Sequence, residues 1–159
     1  MKIGDVASAV GKGLVAGAVG TLAITATTMI ANKLRNEEPS TTPAEAGEKV
    51  LGIDPRGPEE EQRLNNVMHV GYGVAWGVPR GLMAVIGLRG LWATLTHFAA
   101  VWGTALGMLP GLKLAPPPTK WGKKELAIDA LHHLVYAGAT TAAFTFLDRR
   151  SERSRLQAA

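Results

Sequence analysis

The sequence predicts an all-α protein whose four long helices form a transmembrane bundle. Three observations point there. Residues 13–31 contain no charged side chain, and neither do residues 90–112. A helix rises about 1.5 Å per residue, so roughly 20 residues cross the roughly 30 Å hydrocarbon layer. Basic residues gather at the ends of the apolar runs, where lipid headgroups hold them. Small residues recur at four-residue spacing, as in Gly13/Gly17, Ala16/Gly20, Gly73/Gly77, Gly103/Gly107 and Gly107/Gly111. Helices in lipid associate by close backbone approach, which small side chains permit.

Whole-chain averages hide this pattern. The 159 residues make one domain, 47% of them hydrophobic, which is ordinary for a soluble protein. No cysteine is present, which excludes disulfides, thiolate metal sites and cysteine nucleophiles. The net charge of +4 is modest and forms no basic stripe with interleaved aromatics, so a nucleic-acid partner is not expected.

The elements follow in order. Residues 1–12 read as an amphipathic lead-in, with Ile3, Val6 and Val10 at helical spacing. The first span covers about residues 13–32. Its apolar length exceeds a secretory h-region of about 7–15 residues, and with Met1 retained it reads as an uncleaved anchor. Residues 33–63 form the main soluble loop. Within it, Thr42-Pro43-Ala44-Glu45 has the form of a capping box with proline at the first helical position. A short helix should run from there to Leu51 and stop at Gly52.

Asp54-Pro55-Arg56-Gly57 signals a turn, and Pro58 with Glu59, Glu60 and Glu61 opens a new helix, acids at the positive dipole end. That helix becomes the second span, about 64–86, which Pro79 and Arg80 should kink or end early. Gly87-Leu88-Arg89 reads as a tight hairpin into the third span, 90–112. Pro116-Pro117-Pro118 predicts a stiff extended linker. Lys120, Trp121, Lys123 and Lys124 form an interfacial belt before the fourth span, about 125–147, and residues 148–159 read as a solvated basic tail.

With four spans, both termini and the central hairpin share one side. That side carries 8 Lys/Arg, namely Lys2, Lys12, Arg80, Arg89, Arg149, Arg150, Arg153 and Arg155, against 9 on the other. The arginine-dense tail and the acidic opposite loop place both termini in the cytoplasm.

Polar residues also recur at helical spacing within the spans. Thr21, Thr25, Thr28 and Asn32 share a face of the first. His69, Tyr72, Trp76 and Arg80 do so on the second, Thr94, His97 and Thr104 on the third, and Asp129, His133, Tyr136 and Thr140 on the fourth. Ionisable groups in a membrane face a bundle interior or a wet cavity, so these stripes should converge. A His-x-x-Tyr step occurs twice, at His69/Tyr72 and His133/Tyr136, and suggests two pseudo-repeated hairpins that set His69 opposite His133.

Four roles fit these side chains. His69 and His133 are spaced to ligate a b-type haem through neutral imidazoles, with Gly71, Gly73 and Gly138 making room. Asp129, His132 or His133, and His69 could hold zinc or iron. The residues could line a proton or ion path. The plainest role is interhelical hydrogen bonding and nothing more. No phosphate-binding glycine loop, no Gly-x-Ser-x-Gly elbow and no His-Glu-x-x-His is present. The four tryptophans read as packing or interfacial residues.

Several short motifs carry a resemblance. They are Asn66-Val67-Met68-His69, Pro79-Arg80-Gly81-Leu82-Met83, Gly87-Leu88-Arg89-Gly90 and Glu125-Leu126 with Asp129 and Leu131-His132-His133-Leu134-Val135-Tyr136. Together they resemble a set of small bacterial membrane proteins, chiefly actinobacterial, without assigned function. The glycine-rich first span and the loop after it are similar to the YagU-like inner-membrane proteins. The resemblance covers about residues 13–147 and implies a four-span bundle in a bacterial plasma membrane. It carries no activity. The expected role is a non-enzymatic accessory or scaffold subunit, with the lipid bilayer and other membrane subunits or a second copy as partners. The rival expectations are a haem-binding redox subunit and a small transporter or proton conductor.

Overall fold

The computed structural model describes residues 3–157, and of residues 152, 155 and 156 the backbone alone. Lys2 and the side chain of Arg155, both counted above for topology, lie outside that description. The described chain is all helical. It runs α1 (Ile3–Arg35), α2 (Thr42–Leu51), α3 (Pro58–Val85), α4 (Gly90–Gly111) and α5 (Lys123–Gln157).

α1 is a single helix of 33 residues. From Ile3 the amphipathic lead-in is therefore its first turns rather than a separate piece, because no proline interrupts the helix before the apolar run and Lys12 pairs with Asp148 without breaking it. Of the described helices, α1 alone combines span length with high mean hydropathy, 1.8 over its most apolar 18 residues. Polar and glycine residues dilute α3, α4 and α5.

α3 runs unbroken through Pro79. The kink or early stop expected there is absent as a helix end, since proline removes only one intrahelical bond and the turns on both sides are packed. Gly87 and Gly90 adopt positive φ, 83° and 60°, and make the tight reversal into α4. The triple proline stays extended until a short 3-10 turn at Pro118–Lys120. α5 continues to Gln157, so most of the basic tail is helical rather than unstructured.

α2 begins one residue earlier than its capping box suggests. Thr41 occupies the N-cap, and its hydroxyl donates to Glu45 Oε1 at 2.8 Å instead of accepting from the backbone. Gly52 closes the helix at φ 67°, its N–H donating to the Glu48 carbonyl. Asn65 on α3 ties this loop down, accepting from Ala44 N–H at 3.0 Å and donating to the Ser40 carbonyl at 3.2 Å. Lys49 Nζ reaches the Leu112 carbonyl at 2.7 Å and so caps the C-terminal end of α4.

α1 is the hub of the bundle. It lies antiparallel to α3 along a seam of bare backbone. A Cβ at Gly13 would strike the Gly77 carbonyl, one at Gly77 the Gly13 carbonyl, and one at Gly81 the Ala9 carbonyl. Its other face runs antiparallel to α5, with Gly20 against Tyr136 and Thr140. Ion pairs mark both ends of that contact, Lys12 to Asp148 and Arg35 to Glu125, 2.9 and 2.8 Å. Hydrogen bonding to Glu125 holds the Arg35 guanidinium above its ordinary range. α4 packs on α5 and touches α3 lightly.

Candidate functional site

The helices turn polar side chains inward. Thr21, Arg80, His97, Thr140 and Thr141 are buried, while Leu22, Met29, Ile30, Val67, Leu91, Trp92 and Phe146 are more than half exposed. The buried polar set gathers around the two turns of α5 from Tyr136 to Phe144.

Each member is placed by its helix. Pro79 deprives the Ala75 carbonyl of its usual N–H, and in the same turn the Trp76 carbonyl accepts from His97 Nε2 on α4 at 2.8 Å. With Nε2–H donated, Nδ1 of the neutral ring holds the lone pair, and it has no partner. The His97 ring also leans on Tyr136, centroids 5.6 Å apart. Tyr136 Oη crosses to α3 and donates to the Gly73 carbonyl at 2.6 Å. The missing Gly73 side chain makes room for Thr21 of α1 instead, against which an added Cβ would run.

Arg80 is 2% exposed. Its Nε–H donates to Thr141 Oγ1 at 3.1 Å, and its guanidinium lies 4.5 Å above the Phe144 ring. Nη1 has no partner, nor does Thr140 Oγ1.

The remaining sequence candidates lie away from this cluster. His69 is half-buried and meets Thr25 Oγ1 at 2.9 Å. Thr25 directs its one proton at the Thr21 carbonyl, 2.7 Å away, so His69 donates Nε2–H to the hydroxyl. His133 donates Nδ1–H to the Asp129 carbonyl of its own helix at 2.9 Å. This leaves its Nε2 with a lone pair, the arrangement usual in a metal-bound histidine. A bis-histidine iron site that used His69 Nε2 would first have to break the Thr25–His69 bond. Asp129 accepts from Trp102 Nε1 at 2.8 Å and so pins α4 to α5. His132 is half-buried beside His133. Among the described residues, no three His, Asp or Glu side chains gather to hold a metal ion.

The two His-x-x-Tyr steps occupy unlike surroundings. Tyr136 is buried at 3% exposure, whereas Tyr72 stands 38% exposed with its edge on Trp76. His69 bonds across to α1 and His133 bonds within α5.

Sequence spacing missed several of the working contacts. Thr141 and Phe144 hold Arg80, Trp102 holds Asp129, and Lys12 pairs with Asp148. Thr140-Thr141 gave a usable signal, since two adjacent hydroxyls on one span offer partners to two different neighbours. Nothing in the spacing marked Phe144. Arg80, counted with the bases of one membrane side, sits inside the bundle instead.

Comparison with protein-family models, with curated proteins and with solved structures finds no match for this chain.

Proposed function

We propose that this chain is a four-span membrane protein of a bacterial plasma membrane that serves as a non-enzymatic accessory subunit. In this reading α1, α3, α4 and α5 cross the bilayer, and both termini lie in the cytoplasm. The observation that carries it is the inverted burial. Large apolar side chains stand exposed on all four helices, and the interior is built mostly from Gly, Ala, Thr, His and Arg, with Val101, Tyr136 and Phe144 as its larger apolar members. In water such an arrangement would leave the hydrophobic effect unused, with contiguous apolar surface exposed. In lipid it is the expected solution, because polar groups must meet each other and small residues drive close packing.

The outer face of α4 supports the subunit role. Gly103, Gly107 and Gly111 each open onto empty space, where an added Cβ would meet nothing within 4 Å. A partner span from another subunit, or from a second copy, would fill that groove.

The chain lacks cysteine, so single cysteines report topology cleanly. Pro55→Cys and Thr119→Cys should react together with an impermeant maleimide from the periplasmic side of intact cells. Leu88→Cys and Ser154→Cys should react only after the membrane is opened. Labelling of all four from one side sinks the four-span reading, as does a monomer that stays dispersed in buffer without detergent. For the role, extraction from native membrane in mild detergent should bring other subunits along, and a lone monomer counts against it.

A further inference from the structure

The two sides of α5 differ in charge where it passes the end of the fourth span. Towards α1 and α3 a cavity of about 170 Å³ holds Lys12 and Arg89 together with Asp5 and Asp148, so its charges balance. Away from the bundle, a groove of about 700 Å³ runs along a single face of α5. Ala142, Thr145 and Phe146 line its inner half, and Arg149, Arg150 and Arg153 its outer half. These positions recur at three- and four-residue steps, so the helix itself aligns them.

Nothing on this face neutralises the arginines. Among the described residues, no acidic side chain lines the groove and no ion pair reaches Arg149, Arg150 or Arg153. Asp148, next to them in sequence, turns to the other cavity and is held by Lys12 Nζ at 2.9 Å.

The helix also carries the charges to a defined depth. α5 continues unbroken to Gln157, so the arginines ride on a rigid rod rather than a loose tail. At about 1.5 Å per residue, Arg149 and Arg150 stand roughly 5 Å beyond Phe146 along the axis, and Arg153 roughly 10 Å. A headgroup layer is roughly 5–8 Å deep outside the hydrocarbon. With the span ending near Leu147, Phe146 lies at the hydrocarbon edge and the guanidinium groups lie among the phosphates. Ala142, Phe146 and the three arginines are all exposed, so the face is open to a ligand.

Guanidinium groups grip phosphate through paired N–H donors. Phe146 and Ala142 offer apolar surface directly below them. A ligand with phosphate at one end and hydrocarbon at the other matches both halves of the groove, whereas a soluble phosphate or a nucleic acid matches only the basic half. We propose that this face of α5 binds an anionic glycerophospholipid of the phosphatidylglycerol class. Its phosphate lies on Arg149, Arg150 and Arg153, and an acyl chain follows Phe146 and Ala142. The inference rests on the four-span reading, which sets these residues at the bilayer surface.

Native mass spectrometry of the detergent-purified chain, titrated with phosphatidylglycerol or phosphatidylcholine, tests this. One phosphatidylglycerol should bind per chain, at least about tenfold more tightly than phosphatidylcholine. Replacing Arg149, Arg150 and Arg153 together by Gln should bring the two lipids within about twofold of each other. Arg89→Gln removes a like charge from the neighbouring cavity and should keep the preference. Phe146→Ala should weaken binding of both lipids about fivefold. Equal binding of the two lipids overturns the proposal. So does a preference that survives the triple substitution, one lost equally in Arg89→Gln, or binding untouched by Phe146→Ala. Displacement of the lipid by glycerol phosphate or a short oligonucleotide at equal concentration would assign the groove to a soluble phosphate or a nucleic acid, and so overturns it too. The maleimide pattern tests the four-span reading separately: where that pattern holds and the lipid preference is absent, this site alone is wrong.

Discussion

Gly77 on α3 and Gly107 on α4 are the same residue in the same kind of helix, each with another glycine four positions away. Their surroundings are opposite. At Gly77 a side chain would run into the Gly13 carbonyl and the Cα of Gly17, whereas at Gly107 it would meet nothing. The first glycine lets two helices of one chain touch backbone to backbone. The second lies on the exposed face of α4, the most lightly packed of the four long helices. One small-residue pattern thus serves two purposes, closing the protein's own seam and leaving a groove open.

The sharpest way to break this contrast is Gly77→Leu. Backbone on both sides cannot yield, so overpacking should remove about 3 kcal/mol or more of stability, or abolish the folded bundle. Unfolding followed by circular dichroism in detergent measures it. A variant that unfolds like wild type would mean that α1 and α3 do not meet along this seam.

Next in size is Tyr136→Phe, which keeps the ring under His97 and removes the hydroxyl that bonds Gly73. The Gly73 carbonyl retains its intrahelical role, so the loss should be about 1 kcal/mol, as for single interhelical bonds in membranes. A loss near zero would show that contact with the ring, not the hydrogen bond, joins α5 to α3. Smaller again is Glu125→Gln. Arg35 keeps Glu37 at 2.8 Å and the pair is solvent-facing, so the melting transition should barely move, and the small difference should vanish in high salt.

The helices were legible because their signals are local. Uncharged runs, the Pro58 start, the Gly52 stop and the Gly87–Gly90 reversal all act within a few residues of where they are written. Polar stripes were legible as stripes, and Arg80, His97 and Tyr136 do turn inward. Which stripe meets which was not legible. His69 and His133 look equivalent in sequence, yet one bonds to α1 and the other to its own helix. Pro79 and Arg80 together look like a kink or the end of a span, because sequence alone cannot show that Thr141 and Phe144 on a distant helix will receive the arginine. Partner choice depends on interhelical register, and spacing within one helix carries no information about register in another.

The smallest expected effect on stability is the most informative about the open groove. Gly107→Leu adds a large side chain where nothing stands within 4 Å. It also replaces the helix-weakening glycine with a good helix former, so the isolated protein should change by no more than about 0.5 kcal/mol. Any partner span that packs against bare backbone at that position would be pushed away by the whole length of the new side chain. Co-purification from native membrane should therefore fall sharply, while unfolding of the purified chain stays unchanged. Gly77→Leu would lower both measurements together, since a collapsed bundle cannot bind. If Gly107→Leu left co-purification intact, the open face of α4 would be lipid-facing surface, and any partner would dock elsewhere on the bundle.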